Sequence, residues 1–281
     1  MLEESNSTLI QYPTQFTQNI VPKQIHSHND YWRDVPLLTA LSLGVGSVEA
    51  DVWFIDNTLF IGHELAALTP ARTLDSLYIQ PLISILARQN PVTAFTANQT
   101  TPNGVFDMSG TTSFQLLICM KTDGDSTLPP VLKALEPLRQ LGYLTTFTNG
   151  TLIPSAITAV GTGNTPLEAD GIMALSPRDL FFDAPLIDLD DPNVAYNVTI
   201  SPLASTDYEP AIGWPGIGNI SEAQMGNLTK FINDAHTRGI KARFWDTPGW
   251  PIQARHAVWE LLLNAGADWL NADDLEAASQ F

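Results

Sequence analysis

Short apolar runs of strand length alternate with helical segments along most of the chain, and this alternation restricts the fold to a parallel sheet flanked by helices. Residues 114–120 show it best. Apart from Gln115 they form an apolar run, as a strand covered on both faces requires. Residues 23–28, 47–54, 156–160, 171–175, 196–200, 241–245 and 268–270 complete a set of about eight predicted strands. Residues 59–62 form a hairpin arm after the Asp56-Asn57 turn. Apolar residues at helical spacing mark 35–43, 73–88, 127–141, 221–238, 251–264 and 272–279. Gly44, Gly142, Gly239 and Gly266 follow four of these segments as stop signals. Pro81 must kink or split the second, residues 90–110 read as a loop, and Gly161-Thr-Gly163 reads as a turn.

With 281 residues, no linker and no internal repeat, one domain suffices. No Gly-x-Gly-x-x-Gly follows the first strand, which argues against a dinucleotide-binding sheet. The expectation is an α/β fold, a single-domain (β/α)8 barrel of the TIM type over residues 22–281. A loose polar arm, residues 1–21, precedes it.

In such a barrel the chemistry gathers at the C-terminal ends of the strands. The first predicted strand ends in His26-Ser-His28-Asn29. The second carries Glu49-Ala-Asp51, the hairpin ends at His63, the third ends in Cys119-Met-Lys121-Thr-Asp123, and a late one ends in Trp245-Asp246. Glu49 and Asp51 lie two apart on a strand and so share a face. Two carboxylates on one buried face repel each other, and something must neutralise them. A hard divalent cation suits an oxygen-only pair; taken alone, an exposed strand face or an ion pair with an arginine would serve as well. The chain has five histidines, and His26, His28 and His63 cluster around this pair, where imidazole can exchange protons near neutral pH. His236 and His256 fall on predicted helices and are read as surface or interface residues.

The net charge of −17 repels nucleic acid and anionic bilayers, so neither is an expected partner. A monomer is expected. No apolar run of about 18 residues marks a membrane span. Residues 1–20 also lack the apolar stretch of a secretory signal. Sequons at Asn6, Asn98, Asn149, Asn197, Asn219 and Asn227 exceed the roughly two or three expected by chance. They point to a glycoprotein of the secretory pathway or the extracellular space, with any signal or anchor outside these residues. The single cysteine, Cys119, excludes an internal disulfide.

His26, Glu49-x-Asp51 and His63 together resemble the glycerophosphodiester phosphodiesterases and the spider sphingomyelinases D, and His26-Ser-His-Asn29 resembles the latter branch. Residues 26–33 and 47–53, Arg72-Thr-Leu-Asp-Ser-Leu-Tyr78, residues 161–166 and Asn271-Ala-Asp-Asp-Leu275 resemble the fungal altered-inheritance-of-mitochondria protein 6 family, over roughly residues 22–280. The resemblance implies a metal-dependent phosphoric diester hydrolase or lyase acting on a glycerophosphodiester or (lyso)phospholipid. It implies that one of His26 and His63 is the base and the other the acid, and that Glu49 and Asp51 hold one Mg²⁺ or Ca²⁺. Asn29 and Lys121 would contact phosphate, and Trp245 would line the pocket near the leaving group. Relatives carry an acidic third ligand two residues before the lysine, where this chain has Cys119. A thiol is a poor ligand for a hard cation. The alternative is therefore a catalytically impaired barrel that binds a phosphate ligand or a partner, and Asp123, a water or a softer ion are other ways to complete the site.

Overall fold

Residues 114–120 form a strand because every side chain in the run is buried, half against helices and half inside a ring of strands. The computed structural model describes residues 12–168, 170–191 and 195–281. Eight parallel strands make the ring: β1 Lys23–Ser27, β2 Val45–Ile55, β3 Phe114–Met120, β4 Ile157–Gly163, β5 Leu180–Pro185, β6 Leu203–Asp207, β7 Lys241–Trp245 and β8 Leu270–Ala272. Their order is β7-β6-β5-β4-β3-β2-β1-β8. A parallel bridge between Arg243 and Trp269 joins the two ends and closes the barrel. The hairpin arm Thr58–Ile61 pairs antiparallel with the end of β2.

Helices α1 Leu38–Ser42, α2 Gln80–Gln89, α3 Gly124–Ala134, α4 Glu222–His236, α5 Ile252–Ala265 and α6 Leu275–Gln280 cover the outside. They pack on the outward side chains of the strands, including Val48, Ala50 and Val52 of β2. Inside, Leu117, Val160, Phe181, Leu203 and Trp269 fill the barrel as a buried apolar floor. Polar groups above that floor sit against a surface that excludes water.

Helix ends follow their sequence signals. The Asp123 side chain accepts from Ser126 N at 3.0 Å at the start of α3, Ser221 and Gln224 form a capping box on α4, and Gly266 ends α5 at φ 96°. Pro81 falls in the first turn of α2, where its missing N–H costs little, and the preceding Asp75–Ile79 segment is a π-turn.

The expected strands at 171–175 and 196–200 do not form; β5 and β6 stand instead. The first segment holds a 3-10 turn, Ile172–Ala174. In the second, Asn197 Oδ1 accepts from Thr199 N (2.9 Å) and Thr199 Oγ1 (2.6 Å), a local turn that competes with a ladder. Gly161 and Gly163 lie within β4 rather than in a turn. The polar arm is not loose over residues 12–21: Thr17 is buried, donates to Val105 O (2.7 Å) and accepts from Gln89 Nε2 and Asp107 N (both 3.0 Å). Residues 1–11 of the arm, with the Asn6 sequon, lie outside the described residues.

Gly163 ends β4 beside the third strand. Its φ is +65°, and a Cβ there would stand 2.7 Å from Met120 O and 2.8 Å from Cys119 Sγ. Gly163→Ala is therefore expected to cost about 1–3 kcal/mol of stability. Urea unfolding measures it, and a change below about 0.5 kcal/mol would contradict the crowding.

Candidate active site

Period-two alternation on β2 turns Ser47, Glu49 and Asp51 into the barrel, beside Gln115, Leu117 and Cys119 of β3. Glu49 and Asp51 lie at the C-terminal mouth and are almost wholly buried. Each is met by a cation.

Glu49 Oε2 lies 3.3 Å from Arg243 Nη2, 3.5 Å from His26 Nε2, 3.5 Å from the backbone N–H of Asn29 and 3.9 Å from His28 Nε2. Burial opposes its ionisation. The Arg243 guanidinium and the His26 hydrogen bond outweigh burial and hold the carboxyl well below the usual carboxylate range. Arg243 is itself buried and donates through Nε to Asn271 Oδ1 at 2.9 Å. The arginine partner, one of the readings open for the acidic pair, is thus present for Glu49.

Asp51 Oδ2 accepts from Tyr31 OH (2.7 Å) and pairs with Lys121 Nζ (2.9 Å), with His63 Nδ1 at 3.6 Å. Burial and the charge of Glu49 push its carboxyl upward, against the pull of Lys121. The residue is 1% exposed, and Asp51 Oδ1 has no hydrogen-bond partner among the described residues.

The two expected catalytic rings differ in setting. His26 is fully buried; burial and the Arg243 charge push its pKa down to about 3, so the ring is neutral at pH 7. Its Nδ1 lies 2.6 Å from Ser47 Oγ, which accepts from Gln115 Nε2 at 2.8 Å. Assigned from this relay, the Ser47 proton goes to Nδ1 and the remaining ring proton sits on Nε2, facing Glu49. The His63 side chain is 45% exposed and stands edge-on to Trp32, with 5.4 Å between centroids.

Asn29 takes a left-handed conformation (φ 47°) that aims its N–H at Glu49. Its side-chain amide also lies against Tyr31 OH, whose one proton goes to Asp51, and its Nδ2 lies 3.4 Å from the His28 ring. Trp245 is half-buried two residues past Arg243 on the same face of β7. Asp123 is spent on capping α3 and is exposed, so it does not complete a cation site. His236 and His256 lie on α4 and α5, held by Asp268 and against Trp259.

Cys119 is the departure. Ligand atoms of Glu49, Asp51 and Cys119 all lie within 4.8 Å of one another. Burial and the Asp51 charge push the thiol well above its ordinary range. These residues fit a divalent ion: two carboxylates and a sulfur converge, and a buried carboxylate oxygen lacks a partner.

Sequence reasoning missed Arg243, Tyr31 and Asn271 as site residues. For Arg243 the signal existed, because residues alternate on a strand and Arg243 shares a face with Trp245. Asp183 of β5 was missed too; burial pushes it up to about 6, and it accepts from Thr162 Oγ1 at 3.0 Å.

The carboxylates, lysine and imidazoles gather at the C-terminal mouth of the parallel barrel, where this fold carries its chemistry. The model of the AIM6-like phosphodiesterase domain matches residues 14–183. That span holds His26, Glu49, Asp51, His63, Cys119 and Lys121 and stops before Arg243, Trp245 and Asn271. The altered inheritance of mitochondria protein 6 homolog of Arthroderma benhamiae is 41% identical over 100% of this chain and 90% of its own length. Altered inheritance of mitochondria protein 6 of Eremothecium gossypii is 35% identical over 92% and 69%, and that of Saccharomyces cerevisiae 32% over 93% and 71%. The chain belongs to the AIM6-like phosphodiesterase family. A solved glycerophosphodiester phosphodiesterase from Parabacteroides distasonis shares the fold, with a TM-score of 0.50 and 12% identity over 92% of this chain and 94% of that one.

Proposed function

We propose that this barrel cleaves a phosphoric diester of the glycerophosphodiester or (lyso)phospholipid class by acid–base catalysis between His26 and His63. One observation carries the reading. Two imidazoles converge on one acidic pair, His26 Nε2 at 3.5 Å from Glu49 and His63 Nδ1 at 3.6 Å from Asp51, with Lys121 Nζ at 2.9 Å from the same Asp51. A small anion seated there meets two proton carriers and one ammonium.

His26, with Nδ1 engaged by Ser47 and its ring proton on Nε2, has no free nitrogen to take up a proton and suits the donor, as a neutral imidazole can be. His63, open to solvent, suits the base of the pair. Lys121 stabilises charge growing on the phosphoryl oxygens, Asn29 and Tyr31 orient the cluster, and Trp245 walls the leaving-group side. Glu49, Asp51 and Cys119 would hold a divalent cation, which when bound supplies Lewis-acid polarisation of a phosphoryl oxygen. Passage through a secretory route is part of the same proposal, supported by the exposed sequon residues Asn98, Asn149, Asn219 and Asn227.

A second reading rests on Arg243, Lys121 and Cys119. The two cations already neutralise both carboxylates, and the third ligand is a thiol, which suits a barrel that binds a phosphate group without cleaving it. Phosphorus NMR of a panel of glycerophosphodiesters and lysophospholipids, with and without EDTA, separates the two. Cation-dependent appearance of a monoester or a cyclic phosphate is expected. Phosphate binding with every diester left intact would reject the enzymatic reading.

A further inference from the structure

We propose that Cys119 makes this cation site select a thiophilic divalent ion of the zinc class over Mg²⁺ and Ca²⁺, with Sγ as a direct ligand. The inference deepens the proposed cation site and rests on it. Cys119 Sγ is buried, turned into the barrel between Glu49 and Asp51 on one side and Gly163 on the other. Donor atoms of all three ligating residues lie within 4.8 Å of one another. A second feature points to a ligand independently of the sulfur: Asp51 is 1% exposed, yet its Oδ1 makes no hydrogen bond among the described residues. A buried carboxylate oxygen left bare in this way calls for a partner, and a cation is one that supplies it.

The donor set decides which cation. Mg²⁺ and Ca²⁺ take oxygen ligands almost exclusively, and Mg²⁺ demands near-octahedral geometry. A sulfur among two carboxylate oxygens suits Zn²⁺, which accepts S, N and O donors in tetrahedral sites. Asp123, the nearest acid along the chain, caps α3 and leaves the third place to the thiol. On coordination the S–H proton leaves to solvent as the metal–sulfur bond forms, with no change of oxidation state.

Cys119 is the chain's single cysteine. Any thiolate-to-metal charge transfer therefore reports this position alone. The experiment strips the whole protein with chelator and titrates it with Co²⁺, the coloured stand-in for Zn²⁺. Near-ultraviolet absorption and calorimetry are followed, and Zn²⁺ and Mg²⁺ then compete. A charge-transfer band saturating at one equivalent is expected, with Zn²⁺ erasing it and Mg²⁺ failing to do so even in large excess. Cys119→Ser should abolish the band and weaken Co²⁺ binding by at least about 10-fold, the loss typical of removing even an outer-shell partner. Cys119→Asp should abolish the band and turn the preference toward Mg²⁺. Calorimetric Co²⁺ binding without the band, or displacement by equimolar Mg²⁺, would overturn the inference. The wild-type spectrum needs no variant, so a misfolded substitution does not obscure the answer. If the band forms and no diester is cleaved, the metal assignment stands and the enzymatic reading falls. If the Mg²⁺-loaded protein cleaves diesters and no band forms with Co²⁺, the reverse holds.

Discussion

Replacing His63 by alanine is expected to lower diester turnover by about 10²–10⁴-fold, the usual worth of a positioned general acid or base, while leaving stability within about 0.5 kcal/mol of wild type. The ring is 45% exposed, and Asp51 keeps Tyr31 and Lys121 as partners when it is gone. His26→Ala should cost as much turnover and also about 1–3 kcal/mol of stability, since Ser47 and Glu49 each lose a buried partner. The two rings separate further by pH. The folded pKa of His26, about 3, lies below the unfolded value of about 6.5. The unfolded chain therefore binds the proton first, and native stability falls as pH drops from about 6.5 toward 3, by a few kcal/mol at most. His26→Gln should flatten that part of the pH–stability curve, and His63→Ala should leave its slope from His26 unchanged. Steady-state rates, urea midpoints and circular dichroism from pH 4 to 8 provide the measurements. A His63→Ala protein that retains wild-type turnover would remove that ring from the reaction.

What could be read ahead of the coordinates follows from where each element puts its apolar side chains. β3 and β7 carry apolar residues on the helix-facing side, and β3 on both sides, so their bounds were legible at 114–120 and 241–245. β5 and β6 were not. Their inward positions hold Asp183, Ser205 and Asp207, and polar residues turned into a barrel erase the hydrophobic alternation on which a strand is recognised. The weaker apolar runs at 171–175 and 196–200 then drew the assignment away.

The site divides along the same line. Glu49 and Asp51 share a face by strand period alone. His26 and His63 were legible as imidazoles near the pair, while their specific roles and that of Lys121 rested on family resemblance; the structure brings these groups around the pair. Tyr31 reaches Asp51 from the 3-10 turn Asp30–Trp32, and Arg243 reaches Glu49 from across the barrel. Such contacts exist only once the strands close, with 194 positions between Glu49 and Arg243. Of the neutralising partners left open for the acidic pair, the arginine is realised for Glu49. The chain supplies Arg243 from across the barrel and Lys121 from the end of the neighbouring strand, and the case for a cation passes to the bare Asp51 Oδ1 and to Cys119.

Arg243→Met is the substitution with the largest expected effect on stability: a loss of about 3–5 kcal/mol at pH 7 in the presence of EDTA. Removing one partner of a buried ion pair leaves the other charge uncompensated. Here the orphan is Glu49, faced otherwise by a neutral His26, one backbone N–H and the His28 ring at 3.9 Å. Asn271 loses its donor as well. In the wild type the folded pKa of Glu49 is depressed. Its contribution is therefore present above the unfolded value of about 4.3 and disappears only as pH falls through the depressed folded value. In the variant burial is opposed only by the two histidine rings; the folded pKa is expected to rise above the unfolded one, and stability then drops as pH climbs between the two. The difference between the proteins should be greatest near neutrality and shrink toward pH 4. Glu49→Gln in the same chain should recover much of the loss, because a neutral amide carries no buried charge. Urea unfolding of the single and double variants across this range reads the coupling directly. A penalty below about 1 kcal/mol, or one that does not change with pH, would show that the Glu49 carboxylate does not depend on Arg243 for its charge.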